Sequence, residues 1–216
     1  MRCLLYATVG SHYHHTNTPE SDVDIRAVYV ESLREKLSPF HERTQIKLDG
    51  DDSVAYELSH FARMLAKCNP TAIEVAMSAI ENDGSLVASS LLEASLDTEK
   101  FVSQCNGFVK GMWHDGKPKA LHHGWRVALL LRRYILTGVL DFDCTSYPEY
   151  DELMRVKMGL VTPPEGYFAK QEAVDIHHTQ DIPVLEQLVY DLYMGLDKSH
   201  DLWYNAYIAA RRRKNV

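Results

Sequence analysis

Residues 21–30, Ser21-Asp22-Val23-Asp24-Ile25-Arg26-Ala27-Val28-Tyr29-Val30, decide how the first part of the chain is read. From Val23 to Val30 the residues are β formers, and side chains along a strand alternate between two faces. Asp22 and Asp24 therefore share a face with Arg26, Val28 and Val30. Val23, Ile25, Ala27 and Tyr29 fall on the other, which is wholly apolar and is expected to pack on helices. Two carboxylates side by side repel one another, and a divalent cation relieves that repulsion. Oxygen ligands with open positions suit Mg²⁺ or Mn²⁺. An isolated Asp-x-Asp is also compatible with ordinary turn chemistry. Upstream, Arg2 to Val9 reads as a buried strand stopped by Gly10-Ser11. A Gly-Ser turn exposes backbone N–H groups and a hydroxyl, which can cradle a phosphate. Residues 11–21 read as a loop.

Downstream, residues 44–48 and 53–57 flank Asp49-Gly50-Asp51-Asp52, a hairpin signal. From residue 58 the period changes. Leu58, Phe61, Ala62, Leu65 and Ala66 line one helical face, Asn69-Pro70 ends that helix, and Thr71 caps or opens another to about Ile80. Residues 85–112 read as interrupted helix, and Lys119 to Thr137 as a helix closed by Gly138. Residues 184–213 read as largely helical with a break at Gly195. Residues 139–183 give only turns and short pieces. The predicted class is α+β: a small unit of strands and helices over 1–82, then a mostly helical unit over 83–216.

Gly10-Ser11, the spacing that follows, and Thr18-Pro19-Glu20-Ser21-Asp22-Val23-Asp24-Ile25-Arg26 resemble the signature of the DNA polymerase β-type nucleotidyltransferase superfamily. The closest likeness is to its RNA-ligase-associated, RlaP-type branch. Tyr56-Glu57-Leu58, then Lys67-Cys68-Asn69-Pro70 with Glu74, is similar to that branch, as is the pattern Lys119, His123, Arg126 with Thr137-Gly138. The resemblance implies a small mixed sheet, a helical substrate-binding unit and a third carboxylate from a neighbouring strand. It places Glu57 in that role, so Asp22, Asp24 and Glu57 are the expected catalytic and metal-binding residues. The other reading of Glu57 is a helix-opening acid favoured by the helix dipole. The chain departs from the branch in carrying His14-His15 for Tyr-Gly, Ala27 for Gly and Cys68 for Gly. His12, His14 and His15 lack a Cys or acidic partner at ligand spacing and read as solvated rather than as a zinc site.

Lys119, His123 and Arg126 stand at i, i+4 and i+7, on one helix face, with Trp125, Ala128, Leu129 and Leu136 roughly opposite. Such a face turned toward the acids would hold a triphosphate, Arg126 as a fork and Lys119 as a point charge. With Gly10 and Ser11 these form the expected nucleotide-binding set. A solvated basic face is the alternative. Trp113, Lys117 and Tyr134 are candidate rim or base-stacking contacts. Arg211-Arg212-Arg213-Lys214 complements a helix end or contacts RNA, and His177-His178 reads as loop surface.

Over 216 residues, 45% hydrophobic and 25% charged, the composition is that of a globular protein. The formal charge of −7 argues against a general nucleic-acid coat. No apolar run approaches the ~20 residues of a membrane span, and the N-terminus lacks the pattern of a signal peptide. Four scattered cysteines, Cys3, Cys68, Cys105 and Cys144, read as buried free thiols in a reducing cytosol. The expected activity is metal-dependent transfer of a nucleoside monophosphate from an NTP to a hydroxyl, with release of pyrophosphate. Two Mg²⁺ or Mn²⁺ ions would serve it. The acceptor is an RNA end, a protein side chain or a small molecule. The expected compartment is cytoplasmic, with no membrane partner and no expectation for oligomeric state. The rival is a catalytically idle, nucleotide-sensing or antitoxin-like binding module, against which the retained acids count. A second rival is a helical RNA-binding accessory protein using the C-terminal Arg run.

Overall fold

The computed structural model describes residues 1–38, 43–48, 52–164, 166 and 176–195. Its sheet has the order β1-β2-β4-β3, with β1 (Arg2–Val9), β2 (Asp24–Val30), β3 (Gln45–Lys47) and β4 (Val54–Glu57). β1 and β2 run antiparallel, β2 and β4 parallel, β3 and β4 antiparallel. The sheet is mixed, and the expected hairpin joins β3 to β4. Residues 49–51 of its turn lie outside the described residues.

The helices cover the opposite face of this sheet from the one expected. Leu5, Ala7, Val9, Val28, Val30 and Tyr56 enter the main core with Leu58, Phe61 and Leu65 of α3 (Leu58–Ala66). That is the face carrying Asp24. Ala27, Tyr29 and Ala55 form a small separate cluster with Ile46 and Leu48, and Val23 is exposed. The reason lies in β2 itself: beyond Arg26 the acid-bearing face turns apolar, so helices seal its far end and leave the carboxylate end open.

α4 (Pro70–Asp83) packs along β1 and is anchored by the Ser78 hydroxyl donating to the Thr8 carbonyl at 2.6 Å. Its cap is Asn69, not Thr71. Asn69 Oδ1 accepts from the Thr71 and Ala72 amides, and Pro70 takes the first helical position, where no N–H is needed. α5 (Leu86–Ser95) and α6 (Thr98–Asp115) follow, separated at Leu96-Asp97.

α7 (Pro118–Thr137) is buried on two sides. Val127, Ala128, Leu130, Leu131 and Tyr134 join the main core. Leu121, Trp125 and Leu129 pack against Cys144, Tyr147, Leu153 and Val156. Each buried Leu or Val among them contributes about 1.5–3 kcal/mol, which fixes the rotation of α7 and with it the stripe bearing Lys119, His123 and Arg126. Leu136 lies off both faces and is exposed. Tyr134 is fully buried, bonded to Thr98 and edge-on to Phe101, so it stacks on no base.

The stretch least legible in the sequence holds a 3₁₀ turn at Cys144–Ser146 and α8 (Tyr150–Lys157). α9 (Ile182–Tyr193) docks near α3 and α5 and is followed by Gly195 at φ +71°. Arg211 to Lys214 lie outside the described residues. All four cysteines are free, but Cys3 is exposed rather than buried. Among the described residues no helix is long and apolar enough to cross a membrane.

Candidate active site

Asp22, Asp24 and Asp52 bring carboxylate oxygens within 4.8 Å of one another. The register explains the grouping. Arg26 pairs with Val54 in the parallel ladder, so Asp52, two residues before Val54, comes level with Asp24 on the same face. Asp22 lies just ahead of β2. Burial raises the Asp24 carboxyl above its ordinary value, and Asp22 and Asp52 push it the same way, against Arg26 and Lys119. No described side chain donates a hydrogen bond to these three carboxylates. Crowded, oxygen-only and open on one side, they fit a small hard cation.

Gly10 makes this grouping sterically feasible. It ends β1 at φ +67° and opens the short turn α1 (Gly10–Tyr13). A Cβ there would stand 2.4 Å from Asp24 Oδ2. Its N–H donates to Glu74 Oε1 at 2.7 Å, tying the turn to α4. Gly10→Ala should therefore cost at least ~1–2 kcal/mol from the left-handed backbone alone and displace Asp24. Urea unfolding combined with Mn²⁺ titration checks both effects.

Two further turn positions use the left-handed region without glycine, His15 at φ +54° and Cys68 at φ +52°. These are two of the three positions where the chain departs from the glycines of the RlaP-type pattern. At both, the backbone takes the left-handed conformation that glycine adopts most readily.

The loop histidines are not uniformly solvated. His14 is buried, with Nδ1 3.0 Å from the Phe142 carbonyl and Nε2 2.9 Å from Glu74 Oε1. His12 Nε2 is 3.2 Å from the Ser21 carbonyl, and only His15 is exposed. Burial pushes the Glu74 carboxyl up to about 7.

Glu57 is not brought to the aspartates. It pairs with Tyr29, five residues along β2 from Asp24 and on the other pleat, roughly 16 Å away at strand spacing. Its carboxylate is fully buried and caps α3. Oε2 accepts from Lys36 Nζ at 2.7 Å, the Ser59 hydroxyl at 2.6 Å and the Ser59 amide at 3.0 Å, and Oε1 accepts from the Tyr193 hydroxyl. Burial works to raise its pKa, but the bonds from Lys36, Ser59 and Tyr193 outweigh burial and hold it below the ordinary value. The place expected for Glu57 is occupied by Asp52.

On the facing side Lys119 is exposed in the first turn of α7, and its charge favours ionised Asp24. His123, one turn on, is held below its ordinary value by burial, Lys119 and Lys157, with Glu74 opposing. Arg126 is buried, with Nη2 3.8 Å from Glu74 Oε2. Its Nε and Nη1 have no hydrogen-bond partner among the described residues. It borders a cavity of about 20 Å³ with His14, Glu74 and Tyr147, room for a single water. Ser11 sits in the second position of α1. The member of the trio that sequence reading misses is Asp52, which is absorbed into the turn signal.

A family model described as the RNA repair pathway DNA polymerase beta family matches residues 1–108. The chain belongs to this family. The matched stretch contains Gly10-Ser11, the three aspartates, Glu57 and Glu74, whereas Lys119, His123, Arg126 and Lys157 lie beyond it. A comparison with curated proteins returns no match.

Proposed function

We propose that this chain is a metal-dependent nucleotidyltransferase, transferring a nucleoside monophosphate from an NTP to a hydroxyl acceptor with release of pyrophosphate. The observation that carries the reading is the carboxylate trio beside the Gly10 turn, facing the Lys119–His123 stripe. Asp22, Asp24 and Asp52 would hold Mg²⁺ or Mn²⁺, which when bound supplies hydroxyl activation and neutralises charge on the leaving pyrophosphate. The chain's own groups do the rest. With the Gly10 amide taken by Glu74, the turn offers the phosphates the Ser11 amide and hydroxyl. Lys119 offsets the triphosphate charge from the other wall, the His123 ring can donate an N–H, and the buried Arg126 adds positive charge from behind that wall. Glu74 fixes the turn through the Gly10 amide. Residues 1–82 thus supply the acids and residues 83–216 the cations. The family's description, RNA repair, favours an RNA end among the acceptors.

The test is incubation with each α-labelled NTP, Mg²⁺ or Mn²⁺, and RNA bearing a free 3′-hydroxyl, with cell extract in parallel. Label should pass to an acceptor with stoichiometric pyrophosphate. NTP binding without labelling under any condition would favour the idle nucleotide-sensing module instead.

A further inference from the structure

The loop between α1 and β2 delivers Asp22, and residues far along the chain help to hold it. Three successive carbonyls leaving α1 are each taken by the segment 144–157. The Cys144 amide donates to the His14 carbonyl at 3.2 Å. The Tyr150 hydroxyl donates to the His15 carbonyl at 2.8 Å. Lys157 Nζ donates to the Thr16 carbonyl at 2.6 Å and lies 3.3 Å from Ser21 Oγ. Ser21 Oγ in turn accepts from the Thr18 amide at 2.9 Å, and the Ser21 amide donates to the Thr18 carbonyl. One ammonium therefore bridges the two ends of the Thr16–Ser21 loop, immediately before Asp22.

The placement of this lysine is costly without a role. Burial, Arg126 and Lys119 all disfavour its charged form, and Asp22 supports it. A lysine needed only to staple α8 to the body could stand elsewhere on the helix, away from two other cations.

We propose that Lys157 is a positioning residue that closes the Thr16–Ser21 loop and so aligns Asp22 with Asp24 and Asp52. The metal-binding set is then complete only when α8 is docked against the loop. The inference rests on the functional reading above and extends it to a residue outside the family match.

Lys157→Met removes all three donors, and Lys157→Gln keeps part of the donor capacity. Mn²⁺ affinity without nucleotide, measured by calorimetry, should fall by about 10- to 100-fold in Lys157→Met, the usual cost of losing a group that orients a metal ligand, and by less in Lys157→Gln. Amide exchange at Thr18 and Ser21 should quicken in the same order. In steady-state transfer kcat should drop while KM for the NTP stays within about threefold, because the interaction lost is made with the loop and not with substrate. Arg155→Met, an exposed neighbour on α8, should change none of these. Unchanged Mn²⁺ affinity and unchanged exchange in Lys157→Met would overturn the proposal. So would a rise in KM with Mn²⁺ affinity intact, which would make Lys157 a direct phosphate ligand. Wild-type protein that binds no Mn²⁺ would overturn the functional reading, while the exchange measurement would still decide whether Lys157 holds the loop.

Discussion

Asp24→Asn should abolish nucleotidyl transfer by orders of magnitude while leaving the fold intact. Asp24 is the central member of the trio, level with Asp52 in the ladder and two residues from Asp22. Asn keeps its shape beside Gly10 but removes the charge that a divalent cation needs. The same change should raise stability in the absence of metal. Burial, Asp22 and Asp52 raise the folded-state pKa of Asp24 above its ordinary value. An acid with a raised folded pKa costs stability as pH climbs through the ordinary carboxylate range, and the full cost is present above the folded value. Without metal, the stability advantage of the variant over wild type should thus be larger at pH 7.5 than at pH 4.5. Thermal melts at both pH values, with and without Mn²⁺, check this beside the transfer assay. Full activity in Asp24→Asn would remove the aspartates from the chemistry.

Glu57→Gln should do the reverse, losing stability and keeping transfer. The Glu57 carboxylate is fully buried and accepts from Lys36, Ser59 and Tyr193. Gln cannot satisfy the same set of donors and leaves the Lys36 ammonium without its counter-charge. The expected loss is about 1–3 kcal/mol, reduced from the fully buried case because Lys36 is partly exposed. The pH dependence has a definite sign. Because the folded pKa lies below the ordinary Glu value, the contribution is complete above that ordinary value and is lost as pH falls through the folded one. Urea unfolding at pH 7 and pH 3.5 should show a smaller acid-induced loss in the variant. Single-turnover transfer should stay within about tenfold of wild type, since the carboxylate orders α3 and not the reacting groups. A stable Glu57→Gln protein with collapsed transfer would return Glu57 to the site.

The sheet, the order of its helices and the Asp22–Asp24 pair were legible because each rests on local periodicity. Strand alternation put both acids on one face, and the 3.6-residue period found α3 and α7, the latter with its closing Gly138, whereas α3 ends at Ala66 and Asn69-Pro70 open α4 instead. What failed needed tertiary register. Asp52 stands in a turn-like Asp-Gly-Asp-Asp run, and only the parallel pairing of β2 with β4 brings it level with Asp24. Glu57 stands at the correct strand but the wrong end, and its identity as a cap depends on Lys36 and Tyr193, distant in sequence. His14 looked like one of three surface imidazoles until Phe142 and Glu74 enclosed it. Lys157 belongs to a helix too short and too polar to announce its partner, because its bond to the Thr16 carbonyl is made to a residue far away in sequence.

The central claim is that three aspartates, Asp22, Asp24 and Asp52, form the cation site, and that Glu57 does not. Calorimetric titration of Mn²⁺ into wild-type, Asp52→Asn and Glu57→Gln proteins tests it most directly. Asp52→Asn should lose nearly all Mn²⁺ binding, and Glu57→Gln should bind as wild type does. Loss of binding in folded Glu57→Gln with retention in Asp52→Asn would contradict the account.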